Sequence, residues 1–272
     1  MGNNITAVIP NLRFRSVGLV AGSNYASFEG QVAFVGRLGE VGRQRQGHRV
    51  SLRLTRFSMQ TGSAGSDIDI RPDVVATLAM PLPEGGTGRR DYTIRALDRS
   101  AGQLSMDFVL HGDTPAPVWA KRARDGDTML ARGPRGRTVI NPAADWHLFC
   151  GDETCLPAIL HMLETIDANA KVQAFIEVDG PADHQPVPPA FASSVVWLHR
   201  NGRRPGPSAL LLDWLASSPL LDGRGHAYLI GETSNVRAQR RHLIERGFAK
   251  EQISSEGYWR PGRIGGHDHV DD

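Results

Sequence analysis

The distribution of apolar residues changes near Ala144, and this change limits the possible folds more than any other feature of the chain. Between about residues 30 and 140, the apolar residues form short β-rich runs separated by glycine, proline and polar clusters. The runs are QVAFVGRL, HRVSLRL, VVATLAM, DYTIRAL, LSMDFVL and TVI. Strands of this length and spacing predict an antiparallel sandwich or barrel. The first thirty residues give no clear prediction.

Beyond residue 145, predicted strands alternate with predicted helices. HLFC, KVQAFIEV, SVVWLHR and HAYLIGE have the composition of strands, and LPAILHMLETID, SALLLDWLASS and VRAQRRHLIERG have the spacing of helices. This alternation predicts a parallel sheet with helices on its faces, connected by right-handed crossovers. We therefore predict two domains, residues 1–144 and 145–272, and expect the final segment GRIGGHDHVDD to be a mobile tail.

The composition of the 272-residue chain limits the cellular compartments and the binding partners that we expect for it. Because no apolar run resembles a signal peptide or reaches the length of a membrane span, we expect a cytoplasmic protein with no membrane partner. Cys150 and Cys155, the only two cysteines, fit neither a disulfide framework nor a zinc site. We predict no metal site and expect His267 and His269 to lie in the mobile tail. The chain has no base-reading motif, so we predict no nucleic-acid partner.

Arginine is concentrated in a few segments, although the net charge is only +2. The clusters include KRAR, RGPRGR, HRNGRR and VRAQRR. Concentrated positive charge suits phosphate groups or an anionic ligand. For each cluster, a solvated basic face is the alternative interpretation.

Two segments have the composition of ligand-binding sites. Gly151–Pro157 follows the predicted strand HLFC and opens a predicted helix, a geometry that favours a pyrophosphate but also serves simply to reverse the chain. In RDYTIR, strand alternation places Arg90 and Tyr92 on one face and Thr93 and Arg95 on the other. An aromatic ring beside a guanidinium suits a planar phosphorylated ligand, and cross-strand packing is the alternative.

The order of these motifs resembles the siderophore-interacting proteins, ferric-siderophore reductases related to ferredoxin–NADP reductases. The motifs are RDYTIR, DFVLHGD with PAPVWA, GPRG, GDETCLPAI, VVWLHRNG, YLIGE with VRAQRR, and GYWRPGR, which together lie between Arg71 and Arg263. The resemblance implies a Greek-key FAD-binding β-barrel followed by an NAD(P)H-binding α/β domain. It also implies FAD and either NADPH or NADH as cofactors, a ferric siderophore as substrate, and no catalytic side chain, because the cofactors perform the electron chemistry. We expect a monomer.

The resemblance assigns roles to individual residues. Tyr92 is expected to stack on the isoalloxazine, Thr93 to form a hydrogen bond near its reactive nitrogen, and Arg90 to pair with the FAD phosphates. The cofactor-binding residues it implies are, for FAD, Arg90, Tyr92, Thr93, Arg95, His111, Gly112 and Trp119; for the dinucleotide, Gly151, Asp152, Glu153, Thr154, Gly231 and Glu232; and, covering the flavin, Tyr258 and Trp259. Our candidates for binding an anionic siderophore are Arg135, Arg137 and Arg260, and for the 2′-phosphate of NADPH they are Arg237, Arg240 or Arg241.

One segment departs from the family pattern. The family has Gly-Pro-Ala-Ser where this chain has Thr114 to Pro117, and Pro117 therefore removes a hydroxyl and a backbone N–H beside the expected pyrophosphate. A hydrogen bond to a charged group is worth about 1.5–3 kcal/mol, so we predict weaker or shifted FAD binding. Two alternatives to a ferric-siderophore reductase follow: a flavin reductase of the same fold with another acceptor, and a non-catalytic remnant with impaired FAD binding.

Overall fold

The computed structural model describes residues 32–46, 49–60, 75–98, 103–110, 113–123, 127–135, 138–263 and 268–270. These residues form a closed six-stranded barrel followed by a six-stranded mixed sheet with helices on its faces. The predicted fold class is therefore confirmed. Within the described part of the chain, no helix is both long enough and apolar enough to cross a bilayer.

The barrel is built from antiparallel strands in the order β1-β2-β5-β4-β3-β6. Its strands are β1 (Val32–Gln46), β2 (Arg49–Gln60), β3 (Val75–Pro81), β4 (Thr87–Asp98), β5 (Gln103–Val109) and β6 (Thr128–Arg135). Strands β3, β4 and β5 pair as consecutive neighbours, β2 returns beside β5, and β1 closes the barrel by pairing with β6. This connectivity is a Greek key.

The prediction of one barrel strand was wrong. The segment TVI, residues 138–140, lies outside any strand, and Ile140 instead packs against the core of the α/β sheet. The sixth strand is β6, whose sequence TMLARGPR carries arginine, glycine and proline in place of an apolar run. A barrel edge can be closed by backbone pairing with β1 and β3, so β6 does not need a continuous apolar pattern.

The register of β3 and β4 shows which of their side chains share a face of the barrel. Ala76 lies opposite Tyr92 and Leu78 opposite Arg90, so these residues share one face of the sheet. The same face carries side chains that are at most 1% exposed: Ala76, Leu78, Met80, Ile94, Met106 and Phe108. Helix α1 (Pro115–Arg122) packs against β3 and β5.

The mixed sheet has the strand order β12-β11-β10-β7-β8-β9; its strands are parallel to one another except β12, which is antiparallel to β11. The elements are β7 (Trp146–Asp152), α2 (Leu156–Thr165), β8 (Lys171–Val178), β9 (Val195–His199), α3 (Leu210–Ser217), β10 (Gly225–Glu232), α4 (Thr233–Glu245), β11 (Ile253–Trp259) and β12 (Asp268–His269). Short 3-10 helices cover Pro181–Asp183, Pro189–Ser194 and Lys250–Gln252. Two apolar clusters, one on each face, form the core.

The expectation of a mobile tail was wrong for residues 268–270. Strand β12 pairs with β11 opposite Glu256 and Gly257, and Val270 is 2% exposed in the core. The physical reason is that β11 would otherwise be an open edge with unpaired N–H and C=O groups.

Candidate functional site

On the barrel, three aromatic rings form a row beginning with Tyr92. The Tyr92 and Phe108 ring centroids are 4.2 Å apart at 33°, and those of Phe108 and Trp119 are 6.0 Å apart at 48°. Tyr92 and Trp119 are half-buried, whereas Phe108 is fully buried and supports both. Burial raises the pKa of the Tyr92 hydroxyl, so the phenol stays neutral. Phe108 was missed as a site residue, because in LSMDFVL it looks like any core phenylalanine.

The other candidates on β4 have different surroundings. Arg90 is half-buried and donates from Nη1 to the Arg89 carbonyl at 2.6 Å. Thr93 is 5% exposed and lies on the opposite face of the strand. Both terminal nitrogens of Arg95 donate to the Glu164 carboxylate, at 2.7 and 2.5 Å. Arg95 therefore links the barrel to helix α2.

Helix α1 begins with few backbone donors. Its N-terminal turn contains Pro115 and Pro117, and these remove two of the four N–H groups that a helix start leaves without intrahelical partners. Thr114 is the N-cap, but its side chain forms no capping hydrogen bond. The capacity of this turn to bind an anion is therefore reduced.

Near the carboxyl end of β7, Gly151 leaves space for the Cys155 thiol and for the backbone of the neighbouring strand β10. A Cβ at this position would lie 2.1 Å from Cys155 Sγ and 2.3 Å from the Ile230 carbonyl oxygen. The Cys155 thiol donates to the Asp152 carbonyl at 3.0 Å, and burial raises its pKa well above the ordinary value. Cys155 is therefore a buried, unreactive thiol.

Asp152 lies at the end of β7 and is hydrogen-bonded to three neighbouring segments. Oδ1 accepts from the backbone N–H of Thr154 at 2.9 Å and from its hydroxyl at 2.5 Å. Oδ2 accepts from the Glu232 N–H and from the Trp259 indole, each at 2.9 Å. The structure thus brings three other predicted site residues, Thr154, Glu232 and Trp259, to the carboxylate of Asp152.

Glu153 binds an arginine that was not among the predicted site residues. Arg200, directly after β9, forms two hydrogen bonds to Glu153 at 2.6 and 2.5 Å and lies 3.5 Å from Glu177. Burial raises the pKa of Glu153 and Glu177, and the hydrogen bonds from Arg200 and Ser208 oppose this. The motif VVWLHRNG contained Arg200, but strand composition alone does not reveal its carboxylate partners.

Glu232 caps helix α4 and keeps one unsatisfied oxygen. Its Oε2 accepts from the Asn235 N–H at 2.9 Å. Its Oε1 is buried and has no hydrogen-bond partner among the described residues, and the same is true of Arg200 Nε. These two atoms lie at the end of the strands where open α/β sheets bind ligands.

The remaining candidates are distributed as follows. Tyr258 is half-buried and packs against the core cluster beside α2. Arg260 is exposed, and its Nε lies 3.6 Å from Asp268. On α4, Arg237 and Arg241 are exposed, whereas Arg240 is 4% exposed and poorly placed for a 2′-phosphate. Arg135 ends β6, where only its backbone is described, and three predicted residues lie outside the described part of the chain: His111, Gly112 and Arg137.

Two family models match the chain. The model described as siderophore-interacting FAD-binding domain matches residues 36–138, and the one described as siderophore-interacting protein matches residues 144–262. The first match confirms the FAD cofactor that the resemblance implied.

Similar proteins of several bacteria include two named as ferric reductases. An uncharacterized protein of Mycobacterium tuberculosis is 38% identical over 185 residues, covering 64% of this chain and 65% of that protein, which is less than two thirds of its length. Ferric vibriobactin reductase ViuB of Vibrio cholerae is 32% identical over 185 residues, covering 66% of this chain and 68% of that protein. The NADPH-dependent ferric-chelate reductase of Escherichia coli is 24% identical over 197 residues, covering 71% and 75%.

Two solved structures contain the same two-domain architecture as this chain. A siderophore utilization protein from T. fusca is 32% identical, with a TM-score of 0.75, over 85% of this chain and 94% of that one. The cytochrome P450 reductase GcoB of Amycolatopsis shares the fold at 16% identity, with a TM-score of 0.63, over 83% of this chain and 69% of that one. From the two matched domains, the relatives and the shared architecture, we conclude that this chain belongs to the siderophore-interacting protein family.

Proposed function

We propose that this protein is an FAD-dependent reductase that takes electrons from NADPH or NADH and reduces ferric iron held by a siderophore. One observation carries the proposal: the two hydrogen bonds from Arg95 to Glu164 place strand β4 against helix α2. Strand β4 carries Tyr92, and α2 opens directly after the Gly151–Thr154 turn. The expected flavin strand and the expected dinucleotide turn therefore belong to elements that pack together.

The described residues fit FAD better at its ring than at its pyrophosphate. Tyr92 is supported by Phe108 and still has exposed surface for a planar ring. Arg90 offers a guanidinium on the same face of β4. At the start of α1, by contrast, Pro115 and Pro117 leave few N–H donors for a phosphate. We therefore expect FAD to bind, with an affinity limited by α1.

When held by Tyr92 and Arg90, FAD would supply the electron transfer between the two substrates, because a flavin can take two electrons as a hydride from one nicotinamide and give one to each of two Fe(III) ions. The contribution of the chain is orientation, for which Tyr92 provides a rigid aromatic surface and Asp152 fixes the position of Trp259. No nucleophile or acid–base pair is required. Fe(II) is held weakly by the hard oxygen ligands of a siderophore, so reduction releases the iron.

The dinucleotide is proposed to bind at the carboxyl edge of the parallel strands. Glu232 Oε1 and Arg200 Nε offer an acceptor and a donor that the described residues do not satisfy. Arg237 and Arg241, exposed on α4, are our candidates for a 2′-phosphate. The relative from Escherichia coli is named as NADPH-dependent, which supports NADPH as the first choice to test.

The proposed acceptor is an anionic ferric siderophore. ViuB is named as a ferric vibriobactin reductase, and Arg260 is an exposed cation directly after the end of β11. A cation at this position would attract an anionic chelate. Arg135 and Arg137 are further candidates from the sequence alone. We further propose that the protein acts as a monomer in the cytoplasm, where its two cysteines remain thiols.

The test is a two-step anaerobic titration of the purified, FAD-loaded protein. NADPH or NADH is expected to bleach the flavin absorbance, and a ferric siderophore is then expected to restore it, with Fe(II) trapped by a colorimetric chelator. Bleaching without recovery on any ferric chelate would support a flavin reductase with another acceptor. Protein that takes up no FAD after reconstitution would support the non-catalytic remnant and exclude the reductase.

A further inference from the structure

We infer that Asp152 is a positioning residue that holds the Trp259 indole in place and does not bind the dinucleotide itself. Its kinetic consequence rests on the proposed function, whereas the contact between the two side chains does not. The inference follows from the hydrogen bonds of the carboxylate, from the glycine beside it, and from a second anchor on Trp259.

Protein donors use the full bonding capacity of the Asp152 carboxylate. A carboxylate offers about four lone-pair sites. Asp152 is 5% exposed and accepts four hydrogen bonds: two from Thr154, one from the Glu232 backbone and one from Trp259. A dinucleotide hydroxyl or amide would have to displace one of these donors. Asp152 is therefore a poor ligand, although it lies where ligands of such sheets bind.

The backbone around Asp152 is shaped to admit its carboxylate. Gly231 has a φ of +143°, and a Cβ at this position would lie 2.6 Å from Asp152 Oδ2. The pairing of β10 with β11 also shifts register here, because Gly231 pairs with Gly257 but Glu232 pairs with Trp259. Such a bulge changes the direction in which a side chain points. It brings the Trp259 indole to Oδ2.

Trp259 is anchored at its backbone as well as at its indole. The Thr233 hydroxyl, at the start of α4, lies 3.0 Å from the Trp259 carbonyl and 3.0 Å from Asp268 Oδ2. Asp268 in turn pairs with Arg260 and Arg263. The ends of β7, β10, β11 and β12 are thus joined around one half-buried tryptophan. This residue is the last of β11, where the resemblance expects the flavin to be covered.

At the sheet edge, Asp152 therefore positions Trp259 and other groups bind the dinucleotide. If Trp259 covers the flavin, its orientation sets the approach of the nicotinamide, and a displacement of about 1 Å can cost on the order of 100-fold in rate. Loss of the Asp152 contact should therefore slow hydride transfer while leaving dinucleotide affinity nearly unchanged. A direct ligand would show the opposite pattern.

The contact is tested first in the full-length protein without any cofactor. The chain has five tryptophans, so the indole N–H region of a ¹⁵N spectrum is simple, and Trp259→Phe identifies the Trp259 signal. We expect this signal to exchange with water at least tenfold more slowly than that of Trp214, which is 42% exposed. Asp152→Asn should shift the signal and speed its exchange. Asp145→Asn, at a carboxylate that also accepts a backbone N–H, should leave it in place.

The kinetic consequence is tested by anaerobic stopped-flow reduction of the FAD-loaded variants. Asp152→Asn and Trp259→Phe should each lower the limiting rate of flavin reduction at least fivefold, with the dinucleotide Kd within twofold of wild type. The double variant should be no slower than the slower single variant. Trp214→Phe and Asp145→Asn should retain the wild-type rate.

The results separate this inference from the proposed function. A Trp259 indole that exchanges as fast as that of Trp214, or that does not respond to Asp152→Asn, overturns the positioning role even if the protein is an active reductase. A tenfold loss of dinucleotide affinity in Asp152→Asn, absent from Trp259→Phe, makes Asp152 a ligand and also overturns it. If wild-type protein fails to bind FAD, the function fails but the indole result still decides the contact. If Asp152→Asn fails to fold, wild-type indole exchange and Trp259→Phe kinetics decide it.

Discussion

Several candidate site residues of the barrel are partly exposed, whereas the acidic ones of the α/β sheet are hydrogen-bonded within the protein. On the barrel, Tyr92 and Arg90 remain partly exposed on one face of β4. At the carboxyl edge of the sheet, the carboxylates of Asp152, Glu153 and Glu232 are hydrogen-bonded to other parts of the protein. The barrel is therefore suited to recognise a ligand with its side chains. The sheet edge is a rigid frame, in which acidic residues hold the ends of strands and helices.

The largest effect on the free energy of unfolding is expected for a residue buried in this frame. Arg200 is 5% exposed and lies between Glu153 and Glu177. Removing one partner of such a buried ion pair typically costs about 3–5 kcal/mol, because the remaining charge is left unpaired. We expect Arg200→Ala to lower the free energy of unfolding in urea by about that amount. Arg203→Ala, at an exposed neighbour, should change it by less than about 0.5 kcal/mol; equal effects would contradict the frame.

On the barrel side, the start of α1 can be changed to test where the FAD pyrophosphate binds. Pro117→Ser restores an N–H and a hydroxyl at the start of α1, and a hydrogen bond to a phosphate is worth about 1.5–3 kcal/mol. FAD should bind roughly tenfold or more tightly to this variant, measured by quenching of flavin fluorescence. Pro117→Ala restores only the N–H and should give a smaller gain. No gain in either variant would show that the pyrophosphate does not lie at α1.

The third prediction uses pH to probe the interior of the sheet. Burial lowers the pKa of His226 to about 4, whereas an unfolded histidine titrates near 6.5. Between these two pH values the unfolded chain binds a proton at this side chain and the folded chain does not. The contribution of neutral His226 to the free energy of unfolding is therefore complete above about pH 6.5 and is lost as the pH falls toward 4. The slope is at most about 1.4 kcal/mol per pH unit for this group. His226→Gln should flatten the curve of unfolding free energy against pH, and an unchanged slope would contradict a buried neutral His226.

The smallest expected effect lies where the two regions meet. The side chains of Arg95 and Glu164 are 19% and 42% exposed, so water screens their attraction. We expect Arg95→Ala to lower the free energy of unfolding by about 1 kcal/mol or less. A loss as large as that of Arg200→Ala would mean that the barrel and the sheet depend on this contact for folding.

The sequence predicted the fold class correctly, because the first half contains only strand-like apolar runs and the second half alternates strand-like and helix-like ones. It missed three strands: β6, which has no apolar pattern, β11, whose sequence ISSEGYW is largely polar, and β12, which has only two residues. For the site, the predicted residues Asp152, Glu232 and Trp259 lie at the ends of β7, β10 and β11. The motifs could not show which side chains bind ligand and which bind each other, because the partners of Asp152 and Glu153 lie on strands far away in sequence.

The proposed reductase requires FAD to lie against the Tyr92 ring of β4. The most direct measurement is the FAD dissociation constant of wild type, Tyr92→Phe and Tyr92→Ala, with circular dichroism to verify folding. Aromatic stacking contributes about 0.5–1.5 kcal/mol beyond the buried area, so Tyr92→Ala should bind FAD about tenfold more weakly, and Tyr92→Phe should stay close to wild type. Equal affinities in all three proteins, or no FAD binding by wild type, would show that FAD does not lie against Tyr92.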